Sequence, residues 1–275
     1  MPPFNRDRNS WFLRNANNLM RLSLEDKILQ IVEPEKTGSE RGPSLLFIHG
    51  AGCDASVWEA QADYFAGKHP AYLLDLPGHG GSGPEGEALI SSYSTWARLA
   101  ASSLFAAEPF VLVGHSMGGA VVLEMAVDPP ESLRGIVLVG TGAKLAVTRI
   151  IFQMLQENVE AFFQTIDQFA FSPSTPSEIR ERFIRAVRQC PPSVILNDFK
   201  ACDGFDIRDR LDRIHVPALI LCGADDQLTP PTFSAYLRTR IASSRLVTIP
   251  EAGHLVMTER PAAVNQAIKD FLSEL

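Results

Sequence analysis

Six short apolar runs recur along the chain with helical or loop segments between them: "SLLFI" at 44–48, "AYLL" at 71–74, "FVLV" at 110–113, "GIVLV" at 135–139, "ALILC" at 218–222 and "RLVTI" at 245–249. Several run directly into glycine, aspartate or proline. A strand buried on both faces reads as a continuous apolar run, and parallel strands need a crossover, usually a helix, between them. The pattern therefore predicts an α/β fold with a mostly parallel sheet flanked by helices. In such a sheet functional groups gather at the carboxyl ends of the strands.

Helices are expected at 56–65, 95–105, 117–126, 232–240 and 262–272, with Ser56 and Thr95 as N-caps. Near the start, "LMRLSLEDKILQIVE" reads as two antiparallel strands joined by a turn at Glu25 and Asp26. The rhythm breaks between about Lys144 and Arg213, where "VTRIIFQMLQENVEAFFQTIDQFAF" and "SEIRERFIRAVRQC" carry apolar residues at helical spacing with no strand between them. This is a helical insertion at 144–213 between two strands of a core formed by 1–143 and 214–275. Its aromatic stripe, Phe152, Phe162, Phe163, Phe169 and Phe171, is read as packing against the core or as lining for an apolar substrate. Arg180, Arg182, Arg185 and Arg188 read as a solvated face, with an anion site as the sharper alternative.

Composition bounds the function. At 275 residues the chain suits one α/β domain with an insertion. A net charge of -7 offers no basic face for nucleic acid. No apolar run approaches the length of a membrane span, and the N-terminal stretch is broken by charges and asparagines, so a cytoplasmic protein is expected. Cys53, Cys190, Cys202 and Cys222 are scattered without CxxC spacing, and no HxH or HExxH occurs, so neither a metal nor a disulfide framework is expected. Nothing in the sequence asks for a cofactor.

Chemistry enters at "GHSMGG", where Gly114, Ser116 and Gly118 form GxSxG between a strand and a helix. Such a strained turn exposes a serine hydroxyl at the top of a sheet. Serine is a poor nucleophile unless a base takes its proton and a carboxylate fixes the tautomer of that base. "LILCGADDQLTP" ends one strand with Asp225 and Asp226 in its turn, and "LVTIPEAGHLVMTERP" ends the next with His254 in a loop. Either aspartate satisfies the chemical requirement. The elbow geometry makes the backbone N–H of Met117 a donor to a developing oxyanion.

With "HGAG" at 49–52, "DLPGHGGSG" at 75–83, "GHSMGG" at 114–119 and the pair "GADDQLTP" and "GHLVMTERP", the chain resembles the α/β-hydrolase superfamily, in its serine-nucleophile, esterase- and lipase-like branch, over nearly its whole length. The resemblance implies Ser116, Asp226 and His254 as a catalytic triad, Asp226 matching the family's GxxD spacing. It implies the N–H of Ala51 as the second oxyanion donor, and a cap over the active site formed by the insertion. Asp225 is then expected to hold the turn by accepting backbone hydrogen bonds. His49, His79 and His115 have structural places in these motifs, and His69 and His215 precede strands, at the wrong end of the sheet.

The expected activity is hydrolysis of carboxylic esters of small to medium, largely apolar acids through an acyl-serine, acting on a small-molecule substrate without a nucleic-acid partner. Serine where haloalkane dehalogenases and epoxide hydrolases place aspartate disfavours those reactions. Thioesterase, amidase, lactonase and carbon–carbon hydrolase chemistry share the same groups, although the "HGGGPG" loop of ring-cleavage hydrolases is absent. A non-catalytic small-molecule receptor of the same fold is the alternative of a different class. Oligomeric state is open.

Overall fold

A computed structural model describes residues 18–24, 27–33 and 42–275. Among these residues eight strands form one sheet: β1 (Leu19–Leu24), β2 (Lys27–Val32), β3 (Ser44–Ile48), β4 (Ala71–Leu74), β5 (Phe110–His115), β6 (Leu133–Val139), β7 (Ala218–Gly223) and β8 (Ser244–Ile249). Their order is β1-β2-β4-β3-β5-β6-β7-β8. From β4 through β8 every neighbouring pair is parallel, and β1 and β2 add antiparallel at one edge. The N-terminal strand pair is as the sequence predicts, while Glu25 and Asp26 lie outside the described residues.

The apolar runs are two-sided. Leu46, Ile48, Leu112, Ile136, Leu138 and Ile220 join one buried cluster, whereas Leu45, Phe47, Val111, Val113, Val137, Val139, Leu219 and Leu221 join another. This is the period-two alternation of a pleated strand with both faces covered. Against the first face pack α2 (Ile90–Phe105), α3 (Met117–Ala126) and α8 (Pro231–Arg240), through residues such as Tyr93, Val121 and Leu237. Against the second lie α1 (Glu59–Phe65), α9 (Val256–Glu259) and α10 (Pro261–Leu272), through Phe65, Val256 and Ile268.

Two expected helix starts move. The first segment opens as a 3-10 turn at Ala55–Trp58, capped by Asp54, whose side chain accepts from Ser56 N. The helix expected from Thr95 begins at Ile90, and the Thr95 hydroxyl instead donates back to Ser91 O inside it. Leu89 stands at its N-cap with no side-chain hydrogen bond, so no capping residue marks the true start.

Between β6 and β7 run four α-helices: α4 (Arg149–Glu157), α5 (Val159–Phe169), α6 (Ser177–Val187) and α7 (Pro192–Asp203). Lys144 pairs with Asp206 in an antiparallel bridge, and Ile207 N donates to Ala143 O, so both ends of the excursion return to one place. The aromatic stripe divides. Phe162, Phe163 and Phe171 are buried in packing, with ring contacts Phe162–Phe199 at 5.6 Å and Phe171–Phe183 at 5.6 Å, while Phe169 is exposed. The arginines of α6 and its C-cap are matched by acids: Arg180 with Asp167, Arg182 with Glu59, Arg185 with Glu181 and the capping Arg188 with Glu160. Their charge is thus spent in surface ion pairs, as a solvated face requires. Among the described residues no helix is long and apolar enough to cross a membrane.

Candidate active site

The chain steps from β3 outward to β4 and then returns to β5 on the other side of β3, which opens a crevice at the carboxyl ends of β3 and β5. Residues 49–54 leave β3 there, and Ser116 leaves β5 beside them. Ser116 has φ 52 and ψ -115, a region that costs a non-glycine residue roughly 1–3 kcal/mol. Its surroundings hold it in place: Ser116 N donates to Val139 O at 2.9 Å, and its carbonyl accepts from Thr141 Oγ1 at 2.8 Å and from Ala120 N at 3.1 Å. The glycines make room. A Cβ on Gly118 would stand 2.4 Å from Ile48 O, and one on Gly114 would stand 2.3 Å from Gly118 O, so the end of β3, the elbow and α3 approach backbone to backbone.

Asp226 and His254 meet across the ends of β7 and β8. His254 Nδ1 lies 3.0 Å from Asp226 Oδ2 and 3.2 Å from Thr229 Oγ1, whose hydroxyl donates to the same Oδ2 at 2.8 Å. Asp226 Oδ1 accepts from the N–H groups of Leu228 and Thr229, both at 2.9 Å. Burial opposes ionisation of Asp226. The charge and hydrogen bond of His254, with the two bonds from Thr229, outweigh it and hold the carboxyl below its ordinary range. Because Asp226 accepts, Nδ1 carries the hydrogen and Nε2 keeps its lone pair.

The backbone bonds expected of Asp225 are thus made by Asp226. Asp225 instead accepts from Ser172 Oγ of the insertion, at 2.6 Å. The turn's N–H groups point at the residue that also holds the imidazole, leaving its neighbour to meet the insertion.

Two groups that seat His254 escaped the sequence reading. Glu259 is buried on α9 and accepts from Gly253 N and Ser172 N, each at 2.9 Å, and from the Thr175 hydroxyl. The backbone N–H of His254 donates to Ala170 O at 2.8 Å. The segment 170–175 is thereby fastened to the histidine loop. The only local trace was "TERP", an acid just before the final helix.

Ala51 sits between two anchored peptide units. Gly50 O accepts from Cys53 N at 3.2 Å and from His49 Nδ1 at 2.8 Å, and His49 Nε2 accepts from Leu76 N at 3.0 Å, which fixes its tautomer as neutral with the hydrogen on Nδ1. Burial, assisted by the charge on His79, lowers the His49 pKa to about 4. In a trans peptide the N–H points opposite to the carbonyl, so the Ala51 N–H faces away from His49. A Cβ on Gly50 would be 3.3 Å from the Ser116 Cβ, which puts this peptide against the elbow. Met117 begins α3, and the N–H groups of a first helical turn have no intrahelical acceptor. Cys53, buried beside this loop, has its thiol pKa raised by burial and by the neighbouring Asp54, so it stays protonated.

His115 provides a stability test. Its Nε2 donates to His254 O at 3.0 Å, and its pKa is lowered to about 3 by burial and then by the facing His254. In the unfolded chain its pKa is near 6.5. Below that pH the unfolded state takes up a proton that the folded state refuses, so this contribution is complete above pH 6.5 and is lost as pH falls. Linkage gives a loss of about 2 kcal/mol between pH 7 and pH 5. Urea unfolding at the two pH values is expected to show His115→Gln losing that much less than the unsubstituted chain. Equal losses would mean that His115 is not held neutral.

The model of the Alpha/beta hydrolase family matches residues 45–267. The chain is 29% identical over 250 residues to a pimeloyl-[acyl-carrier protein] methyl ester esterase of Aeromonas hydrophila, covering 84% of this chain and 96% of that one. It is 28% identical over 240 residues to 3-oxoadipate enol-lactonase 2 of Acinetobacter baylyi, covering 84% and 89%. Among solved structures, a thermophilic esterase superposes with a TM-score of 0.82 at 28% identity, covering 93% of this chain and 97% of the other. With the sheet order, the strained serine elbow and the buried Asp226–His254 pair, this match over most of its length makes the chain a member of the α/β-hydrolase family.

Proposed function

We propose that this chain hydrolyses carboxylic esters of small to medium, largely apolar acids through an acyl-serine at Ser116. The observation that carries the reading is the buried Asp226–His254 pair, with Nδ1 3.0 Å from Oδ2 and the other carboxylate oxygen held by two N–H groups. It leaves Nε2 as a base at the sheet end where Ser116 stands. Ser116 Oγ attacks the carbonyl carbon as its proton passes to His254 Nε2. The carbonyl oxygen becomes an anion held by the N–H groups of Ala51 and Met117. Collapse expels the alcohol, which takes the proton from Nε2. Water then repeats the sequence on the acyl-serine, with His254 as base and then as acid, and releases the carboxylic acid.

The names of the relatives support acyl–oxygen cleavage, since one is a methyl ester esterase and another an enol-lactonase. Lactones are accordingly the second substrate class. The segment 144–213 is read as a cap over this site, supported by the bonds of its Ala170 O to His254 N and of its Ser172 to Asp225 and Glu259. Four buried free thiols fit a reducing, cytoplasmic setting.

The test pairs a fluorophosphonate probe with p-nitrophenyl esters of rising chain length. Labelling confined to Ser116 and turnover of short to medium esters are expected. A chain that is neither labelled nor active would be a binding protein of this fold.

A further inference from the structure

The insertion reaches the oxyanion loop through one carboxylate. Asp198, on α7, is fully buried. Its Oδ2 accepts from Gly52 N at 2.8 Å and from His79 Nε2 at 2.8 Å, and its Oδ1 accepts from the Tyr93 hydroxyl at 2.6 Å. Three parts of the core therefore converge on one side chain of the inserted segment: the loop after β3, the turn after β4, and α2.

The protonation pattern makes this a charged junction. His79 Nδ1 lies 2.9 Å from Pro77 O, and a carbonyl only accepts, so Nδ1 carries a hydrogen. Nε2 directs its own hydrogen at Asp198, which makes the ring an imidazolium beside a carboxylate. Burial works against that charge, yet the charge and hydrogen bond of Asp198 raise the His79 pKa well above its ordinary value.

Gly52 is the residue that needs holding. It has φ +66, and a Cβ there would lie 3.3 Å from side-chain atoms of both Ile195 and Val187, so the insertion packs directly onto it. Of the two peptide units flanking Ala51, the first is fixed by His49 and Cys53 from within the core. The second has its N–H fixed by Asp198 from outside it. A glycine has wide backbone freedom, so without Asp198 the 51–52 peptide can turn, which swings the Cys53 N–H away from Gly50 O and loosens the 50–51 peptide that carries the Ala51 N–H.

We infer that Asp198 is a positioning residue for the oxyanion site: by holding the Gly52 N–H it aims the Ala51 N–H, so that the site is complete only when α7 is seated on the core. This rests on the acyl-serine reading and extends it, because it gives the insertion a part in the chemical step as well as in substrate range. Oxyanion donors act on charge that develops in the transition state, so their misplacement lowers kcat and leaves KM nearly unchanged.

The test compares Asp198→Ala, Asp198→Asn and the double variant His79→Leu/Asp198→Leu on one p-nitrophenyl ester, normalised to the fraction of sites titrated by a fluorophosphonate. Asp198→Ala strands a buried imidazolium, and the double variant removes both charges, so that loss of folding does not decide the result. Both deletions are expected to lower kcat about 10²-fold, the scale of a 1 Å misplacement or of one lost oxyanion donor. KM is expected to stay within about threefold, and an aryl trifluoromethyl ketone, which forms a tetrahedral adduct with serine, to lose affinity in step with kcat/KM. Asp198→Asn keeps an oxygen for Gly52 N–H and an amide donor for the Tyr93 oxygen, and should recover most of kcat. A folded deletion variant with wild-type kcat, or one in which stability alone changes, overturns the inference. If the unsubstituted chain is not labelled by the fluorophosphonate, the acyl-serine reading fails first and this inference falls with it.

Discussion

Ser116→Ala is expected to lower ester turnover by about 10⁵–10⁶-fold, the scale on which serine triads lose kcat when the nucleophile is deleted. Alanine is the informative replacement because it leaves the backbone problem unchanged. Residue 116 would still carry a side chain at φ 52, and its N–H and C=O would keep their bonds to Val139, Thr141 and Ala120. Only Oγ disappears, from a residue that is half-buried. Stability should therefore stay within about 0.5 kcal/mol, the usual range for changes away from a packed core. A residual rate over water is expected, since the N–H groups of Ala51 and Met117 remain to stabilise a tetrahedral species formed by direct attack of water. Steady-state rates and thermal unfolding on the same preparation check both halves. Retention of more than a few per cent of the activity at unchanged stability would remove Ser116 from the mechanism.

What the sequence made legible follows from where the information lies. The inner strands were readable because burial on both faces writes itself as an unbroken apolar run, and β3 and β4 have the expected bounds. The serine elbow was readable because its backbone geometry demands small residues at fixed offsets, and any Cβ on Gly114 or Gly118 would strike backbone. The start of α2 was not, because Leu89 caps it without a side-chain bond and Thr95 imitates a cap one turn inside.

Asp198 was missed for two reasons. α7 itself went unread, although Pro192 at its first position and buried Val194, Ile195, Ala201 and Cys202 on one face are helix signals. Asp198 sits on that same buried face. An acid on an apolar stripe is the one local sign that a partner waits elsewhere. The partners, Gly52, His79 and Tyr93, lie 146, 119 and 105 residues away in sequence, and no periodicity reports on such distances.

Asp226→Asn is expected to lower kcat by about 10⁴-fold with little change in KM, the cost of the wrong histidine tautomer in serine protease triads. Here the geometry dictates which way the amide must lie. Oδ1 of Asp226 receives two backbone N–H groups, from Leu228 and Thr229. An asparagine that turned its NH2 toward them would set donor against donor and lose both bonds, so its oxygen has to occupy that side. Its NH2 then faces His254 Nδ1 at the place now held by Oδ2. The ring responds by moving its hydrogen to Nε2, and the nitrogen that should take the Ser116 proton no longer has a lone pair to do so. Asp225→Asn is the control, because its only side-chain partner among the described bonds is the Ser172 hydroxyl, which an amide oxygen can also accept. That variant should keep kcat within a few fold and lose at most about 1 kcal/mol of stability, the worth of one part-exposed hydrogen bond. A collapse of kcat in Asp225→Asn with Asp226→Asn active would move the acid one residue back, and would require the imidazole to leave the carboxylate it now touches.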